Sequence, residues 1–227
     1  MTIEVPRKTV VMFADIACPW AHAAVHRFHV TRDRLELHDA IRLDVRAFPL
    51  ELINDQSTPK RILEAEIPVV GTMEPDAGWQ IWQARPDEWP VTILPALEAV
   101  YAAKRQGLEA SEELDRALRR ALFGHSINIS MQHEIIEVAE SCPLVDTAAL
   151  EKVLIDGEAR SAIFGDLEIA QTDQVQGSPH FFLSDGTNVH NPGVTVRWEG
   201  EHGAGFPVVE KDEPSIYEDL LERASGR

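Results

Sequence analysis

The sequence predicts an α/β domain of the order βαβ…ββα, interrupted by an all-helical segment. Three observations predict it: strand, helix and strand patterns succeed one another within residues 9–48, a long stretch then carries helical spacing, and strand character with a hairpin signal returns at His180. Thr9 to Ala14 reads TVVMFA, a nearly continuous apolar and β-branched run that suits a central strand covered on both faces. Asp15 to Cys18 breaks the run, and Pro19 suits the first turn of a helix, where its missing N–H is not needed. That helix is expected from Pro19 to about Arg34. A second strand follows at Ile41 to Phe48, where Ile41, Leu43, Val45 and Ala47 alternate with Arg42, Asp44 and Arg46. A helical crossover makes the two strands parallel.

Strand character then disappears. Thr58-Pro59 offers a helix start, and Ile93 to Arg105 carries Leu94, Leu97 and Tyr101 at helical spacing. Ser111 to Leu122 reads SEELDRALRRAL, with Leu114, Leu118, Ala121 and Leu122 on one face and acids at the start. Ser130 to Glu140 and Thr147 to Leu154 add two further helices, and Gly157 marks the exit. The run HFFL from His180 reads as a strand, Asp185-Gly186 as a two-residue hairpin turn, and Ser215-x-x-Glu218 as a capping box ahead of a last helix stopped by Gly226. Residues 1–54 and 156–227 are thus expected to form the α/β domain, and residues 55–155 the helical insertion.

Composition excludes several functions. With 21 Lys and Arg against 38 Asp and Glu, the formal charge of −17 opposes binding to nucleic acid or to an anionic membrane surface. The apolar stretch near the N-terminus is too short, and is interrupted by Asp15 too early, for a signal-peptide core or a membrane span, so a cytoplasmic location is expected. Two cysteines, Cys18 and Cys142, are too few for a disulfide framework or a thiolate-rich zinc site.

The chemistry centres on Cys18. A cysteine between a buried strand and a helix start meets unpaired backbone N–H groups and the positive end of the helix dipole, which favour a negative sulfur. Such settings lower a cysteine pKa from roughly 8.5 to about 3.5–7.5 and make a nucleophile, which requires an exposed sulfur. The plainer alternative is a small, inert buried hydrophobe. Asp15 is a candidate proton relay or simply a turn residue, and His22, one turn on, is a candidate cation beside the thiolate or a structural residue. His22, His26 and His29 share a helix face, but nothing in the sequence completes a metal site around them.

The segment DIACPWAH, Asp15 to His22, resembles the D-x-x-C-P-W-C-Y motif of DsbA-like oxidoreductases, particularly the FrnE-type branch. FPLEL, QGLEASEELDRALRRALFGHSINIS and VQGSPHFFLSDG resemble further landmarks of that branch, so the likeness covers most of the chain apart from residues about 55–90 and the tail. The resemblance implies a thioredoxin fold in which a cis-proline ahead of the third strand faces the active thiol. Pro179 matches that position, and Pro19, Trp20, Ser178 and Pro179 would contact substrate. An X-Pro bond is the one common site for a cis peptide, and the bend can present Ser178 backbone groups to an extended ligand.

One departure matters: Ala21 stands where the second cysteine of the motif belongs. A lone thiolate can form a mixed disulfide, but another thiol must release it. Glutathione or mycothiol would serve as a thiol co-substrate, with no tightly bound cofactor. Cys142 is a poor internal candidate, since its place near the end of an inserted helix suits packing and a bridge needs Cα atoms within about 7 Å. The implied activity is monothiol disulfide exchange on a thiol- or disulfide-containing protein or small molecule, and a homodimer is compatible with it. Kappa-class glutathione transferases and 2-hydroxychromene-2-carboxylate isomerases share the architecture and offer a second reading, a thiol-cofactor-dependent transferase or isomerase with Trp79, Trp82 and Trp89 walling a pocket or packing the insertion core. A non-catalytic peptide-binding module is a third. The Gly-rich stretch from His190 to Phe206 reads as a lid or edge hairpin, because it lacks the strand-to-helix context of a phosphate loop.

Overall fold

The computed structural model describes residues 3–201 and 203–226. His202, within the Gly-rich stretch, and the outermost ends of the expected α/β domain lie outside the described residues.

Strand β1 (Thr9–Ala14) is buried throughout, because both of its faces are covered. Val10, Met12 and Ala14 pack with Val25 and Phe28 of helix α1 (Pro19–Arg34), while Val11 and Phe13 pack with Phe48 and Phe182 on the other side. Strand β2 (Arg42–Ala47) runs parallel to β1, with Ala14 opposite Ala47. Strand β3 (His180–Phe182) pairs antiparallel on the other flank of β1, with Phe13 opposite His180. Strand β4 (Asn188–His190) follows, giving the order β2-β1-β3-β4. This register sets the residues that enter β3 beside those that leave β1. A terminal helix spans Ile216–Ser225 and packs Tyr217, Leu220 and Leu221 beside α1. Ser215 has helical backbone angles and makes no side-chain cap, so the expected capping box does not form.

Between β2 and β3 the chain is helical: α2 (Leu50–Ile53), α3 (Lys60–Met73), α4 (Leu94–Lys104), α5 (Leu108–His125), α6 (Gln132–Glu140), α7 (Thr147–Asp156) and α8 (Arg160–Ala170). Gly157 does stop a helix, at φ 66°, but the chain does not leave the helical region there. It enters α8, a helix the sequence reading missed, whose Ile163 joins the helical core and whose Ala170 reaches the cluster under the sheet. The helices also guard the sheet. The Leu43 N–H on edge strand β2 donates to Glu112 Oε1 of α5 at 2.7 Å, and the Ala47 N–H donates to Asp166 Oδ2 of α8 at 2.8 Å, which leaves those edge groups satisfied.

The stretch expected to be a lid or edge hairpin contains β5 (Val194–Glu199), which pairs with β6 (Phe206–Asp212) as a separate two-stranded sheet; β6 packs against α3. Among the described residues no helix is long and apolar enough to cross a membrane.

Candidate functional site

Cys18 is the N-cap residue of α1, with Pro19 in the first turn. Asp15 shapes the loop before it: Oδ1 accepts from the Ala17 N–H at 2.7 Å and Oδ2 from the Leu50 N–H at 2.8 Å, which ties the end of β1 to the start of α2. The Asp15 N–H in turn donates to Ser178 Oγ at 2.9 Å. The Cys18 thiol donates to the Ser178 carbonyl, with Sγ···O 3.4 Å, across 160 positions of sequence. The Ser178–Pro179 peptide bond is cis. Just upstream, a Cβ on Gly177 would come within 2.6 Å of His190 Nε2, so any larger residue there would have to displace that exposed ring. The helical region also grips the loop: Arg119 Nη1 of α5 donates to the Asp15 and Ile16 carbonyls at 3.0 and 3.2 Å, and its Nε donates to Asp115 Oδ2 at 2.8 Å.

Cys18, Pro19, Trp20 and Ser178 line one cavity of about 410 Å³, together with Asp15, Glu51 and Glu66 and the α2–α3 segment. Pro179 adjoins it through its bond to Ser178. The cysteine itself is only 6 % exposed, and the expectation of an open sulfur is overturned. Glu66 of α3, whose Oε1 accepts from Trp20 Nε1 at 2.9 Å, lines the same cavity as Cys18 and Trp20. Burial, reinforced by Glu66, pushes the Cys18 thiol up to about 12, and the hydrogen bonds from Ser178 and the Ala21 backbone offset this only in part. The helix-terminal setting therefore does not make a resting thiolate here, because desolvation outweighs it. Burial likewise raises Asp15 to about 6 and Glu66 to about 7.

His22 is not the cation that could hold a thiolate. It is buried between Trp79 and Phe123, at ring centroid distances of 4.5 and 5.0 Å, and burial lowers it to about 3, so it is neutral. No group of three potential metal ligands occurs among the described residues. Cys142 is a free, buried thiol in the helical core, whereas Cys18 belongs to the α1 core, and the two line different cavities. Trp79, Trp82 and Trp89 pack on the helical core and are not among the residues lining the Cys18 cavity.

Sequence reasoning missed Glu66, Glu51 and Arg119. Glu66 had a readable signal: Leu63, Ile67 and Val70 form the buried face of α3, and Glu66 falls on that stripe. Glu51 accepts from Thr92 Oγ1 at 2.6 Å and from the Ile93 N–H at 2.9 Å, partners a one-dimensional pattern does not pair with it.

The family model for a DSBA-like thioredoxin domain matches residues 9–196. A probable DsbA oxidoreductase from Streptomyces coelicolor superposes with a TM-score of 0.68 at 19% identity, covering 96% of this chain and 90% of its own. The cytosolic disulfide reductase DsbM from Pseudomonas aeruginosa gives 0.60 at 14% identity over 96% and 95%, and a structure of it with GSH gives 0.58. A 2-hydroxychromene-2-carboxylate isomerase gives 0.59 at 16% identity over 80% and 87%. No curated protein matches the chain. Identities this low speak for a shared thioredoxin-like fold alone.

Proposed function

The chain belongs to the DSBA-like thioredoxin family, and on that premise we propose that it carries out thiol–disulfide exchange through Cys18 alone. The observation that carries this is the meeting of Cys18 Sγ with the Ser178 carbonyl, 3.4 Å apart, on the wall of a cavity large enough for a small molecule. In the first step the deprotonated sulfur attacks one sulfur of a disulfide, a mixed disulfide forms on Cys18, and the departing thiolate takes up a proton. Ala21 carries no thiol and Cys142 lies in another core, so a second, low-molecular-weight thiol attacks the mixed disulfide and returns Cys18 to the free thiol. Glutathione and mycothiol are the candidates, and the DsbM structure solved with GSH supports a thiol of this kind. Two unpaired cysteines fit a reducing compartment such as the cytoplasm. Because the thiol rests protonated, the reading specifies a guarded sulfur with a very small thiolate fraction at neutral pH.

Incubation with hydroxyethyl disulfide followed by intact-mass measurement tests the proposal. One adduct on Cys18, removed by excess small thiol and absent in Cys18→Ser, is the expected result. An adduct only on Cys142, or none at all, rejects it. A specific observation favours a second reading: the protonated Cys18 thiol stands on the cavity wall, where it could turn from the Ser178 carbonyl and donate its one hydrogen bond to a bound thiol cofactor. Cys18→Ser separates the two, since it abolishes exchange but retains binding of glutathione or mycothiol under the second.

A further inference from the structure

The cavity beside Cys18 has a one-sided charge. Among the described residues its walls include three carboxyl groups, Asp15, Glu51 and Glu66, and no lysine, arginine or histidine. The nearby cations are committed elsewhere or stand off. Lys60 pairs with Glu64 and lies over the Trp89 ring, and Arg61 is exposed and does not line the cavity; Arg119, fully buried, also reaches the Asp15 and Ile16 carbonyls and acts on Asp15, but its charge is offset by its ion pair with Asp115. The N-termini of α1 and α3 both open at the cavity and supply roughly half a positive charge each. Against them stand Glu51, Asp15, which is mostly ionised at neutral pH with its raised value of about 6, and Glu66, which is about half ionised. The balance is negative, in a confined space where charge is poorly screened.

We infer, resting on the exchange reading above, that the disulfide substrate of Cys18 is a small one that carries positive charge, of the aminothiol class, in preference to one with carboxylates close to its sulfurs, whichever thiol later resolves the adduct. The ammonium groups of such a molecule would sit against Glu51 and Glu66 while its disulfide meets the Cys18 sulfur. A disulfide with carboxylates at the same distance from sulfur meets repulsion instead, and the partly buried acids have no counter-ion to offer it. The exchange itself is the balanced step given above: the Cys18 sulfur forms the new S–S bond, and an aminothiol leaves and takes up the proton.

Three disulfides that differ mainly in charge test this: cystamine, hydroxyethyl disulfide and dithiodipropionate. Rates of adduct formation on Cys18 are measured by intact mass and divided by the rate of each reagent with free cysteine. The expected order is cation, neutral, anion, with roughly tenfold or more between the extremes. Glu51→Gln with Glu66→Gln, whose amide oxygens can still accept from the Ile93 N–H and from Trp20 Nε1 while the amide of the first donates to Thr92 Oγ1, should bring the ratio toward one. Equal normalised rates for cation and anion, or a ratio unchanged in the double variant, overturn the inference. Failure of the neutral reagent instead strikes the exchange reading. The charge inference is then read from Cys18→Ser, where cystamine must raise the melting temperature more than dithiodipropionate does, and equal shifts overturn it.

Discussion

At Cys18 two effects of opposite sign compete, and their sizes decide the outcome. The start of α1 offers the sulfur backbone N–H groups and a positive dipole end, effects worth about 1 kcal/mol to a nearby anion. Removal from water, with Glu66 close by, works against the thiolate and wins, so the sulfur rests as a hydrogen-bond donor to the Ser178 carbonyl. Two expectations follow from this ordering. Iodoacetamide should label Cys18 in the native protein more slowly than free cysteine at neutral pH, with a rate still climbing at pH 10 (about 1.5 pH units above the free-thiol value of roughly 8.5). Glu66→Gln should bring that profile to lower pH and raise the labelling rate several-fold, because it removes a like charge and keeps an oxygen to accept from Trp20 Nε1. A profile unmoved by the substitution would show that the carboxylate has no electrical hold on the sulfur.

The loop between β1 and α1 is held by other elements more than by itself. Arg119 reaches from α5 to the carbonyls of Asp15 and Ile16, and it is paired with Asp115, itself 1 % exposed. Arg119→Leu should therefore destabilise the fold by about 3–5 kcal/mol in denaturant titration, because it strands a buried carboxylate and takes a charged donor from the Asp15 and Ile16 carbonyls. Adding Asp115→Leu should restore much of the loss, and a double variant no more stable than the single one would contradict the account. This dependence also explains what the sequence could and could not reveal. TVVMFA and the Pro19 start announced β1 and α1 with matching boundaries, since a run buried on both faces and an N-terminal proline are local signals. Helix α8 was missed because Gly157, a true stop for α7, looked like the end of the helical segment, and Gly165 weakens the helical pattern that follows. The adjacency of Cys18 and Ser178 could be anticipated from family resemblance. The share of α3 in the site could not, because Glu66 meets Trp20 and the Cys18 cavity through packing between segments that carry no shared motif.

Across the whole molecule, the helical region is joined to the sheet and to α1 through carboxyl groups that burial makes reluctant to ionise. Asp166 of α8 caps the Ala47 N–H on the edge of β2 and is raised to about 7, and Glu66 of α3 is raised to about 7 beside Trp20. Each binds its proton more tightly in the folded chain than in the unfolded one, whose values are near 3.8 and 4.5. The stability these protons confer is complete below about pH 4 and is lost as pH rises through 7. The loss is a few kcal/mol per group at most, at about 1.4 kcal/mol for each pH unit between the two values. His22, lowered to about 3, acts in the opposite sense and withdraws stability as pH falls below 6.5, so the wild-type curve alone is a sum of opposing slopes. A difference between variants isolates the carboxyl contribution. Glu66→Gln and Asp166→Asn keep an acceptor oxygen for Trp20 Nε1 and the Ala47 N–H but cannot ionise. Their melting temperatures should accordingly rise relative to wild type between pH 5 and pH 8, by roughly 2–4 °C for each kcal/mol recovered in a chain of this size. The two gains should be nearly additive, because the residues sit on different helices and share no hydrogen-bond partner. A difference that is flat across that range, or that narrows as pH rises, would mean that these acids ionise as freely in the folded chain as in the unfolded one.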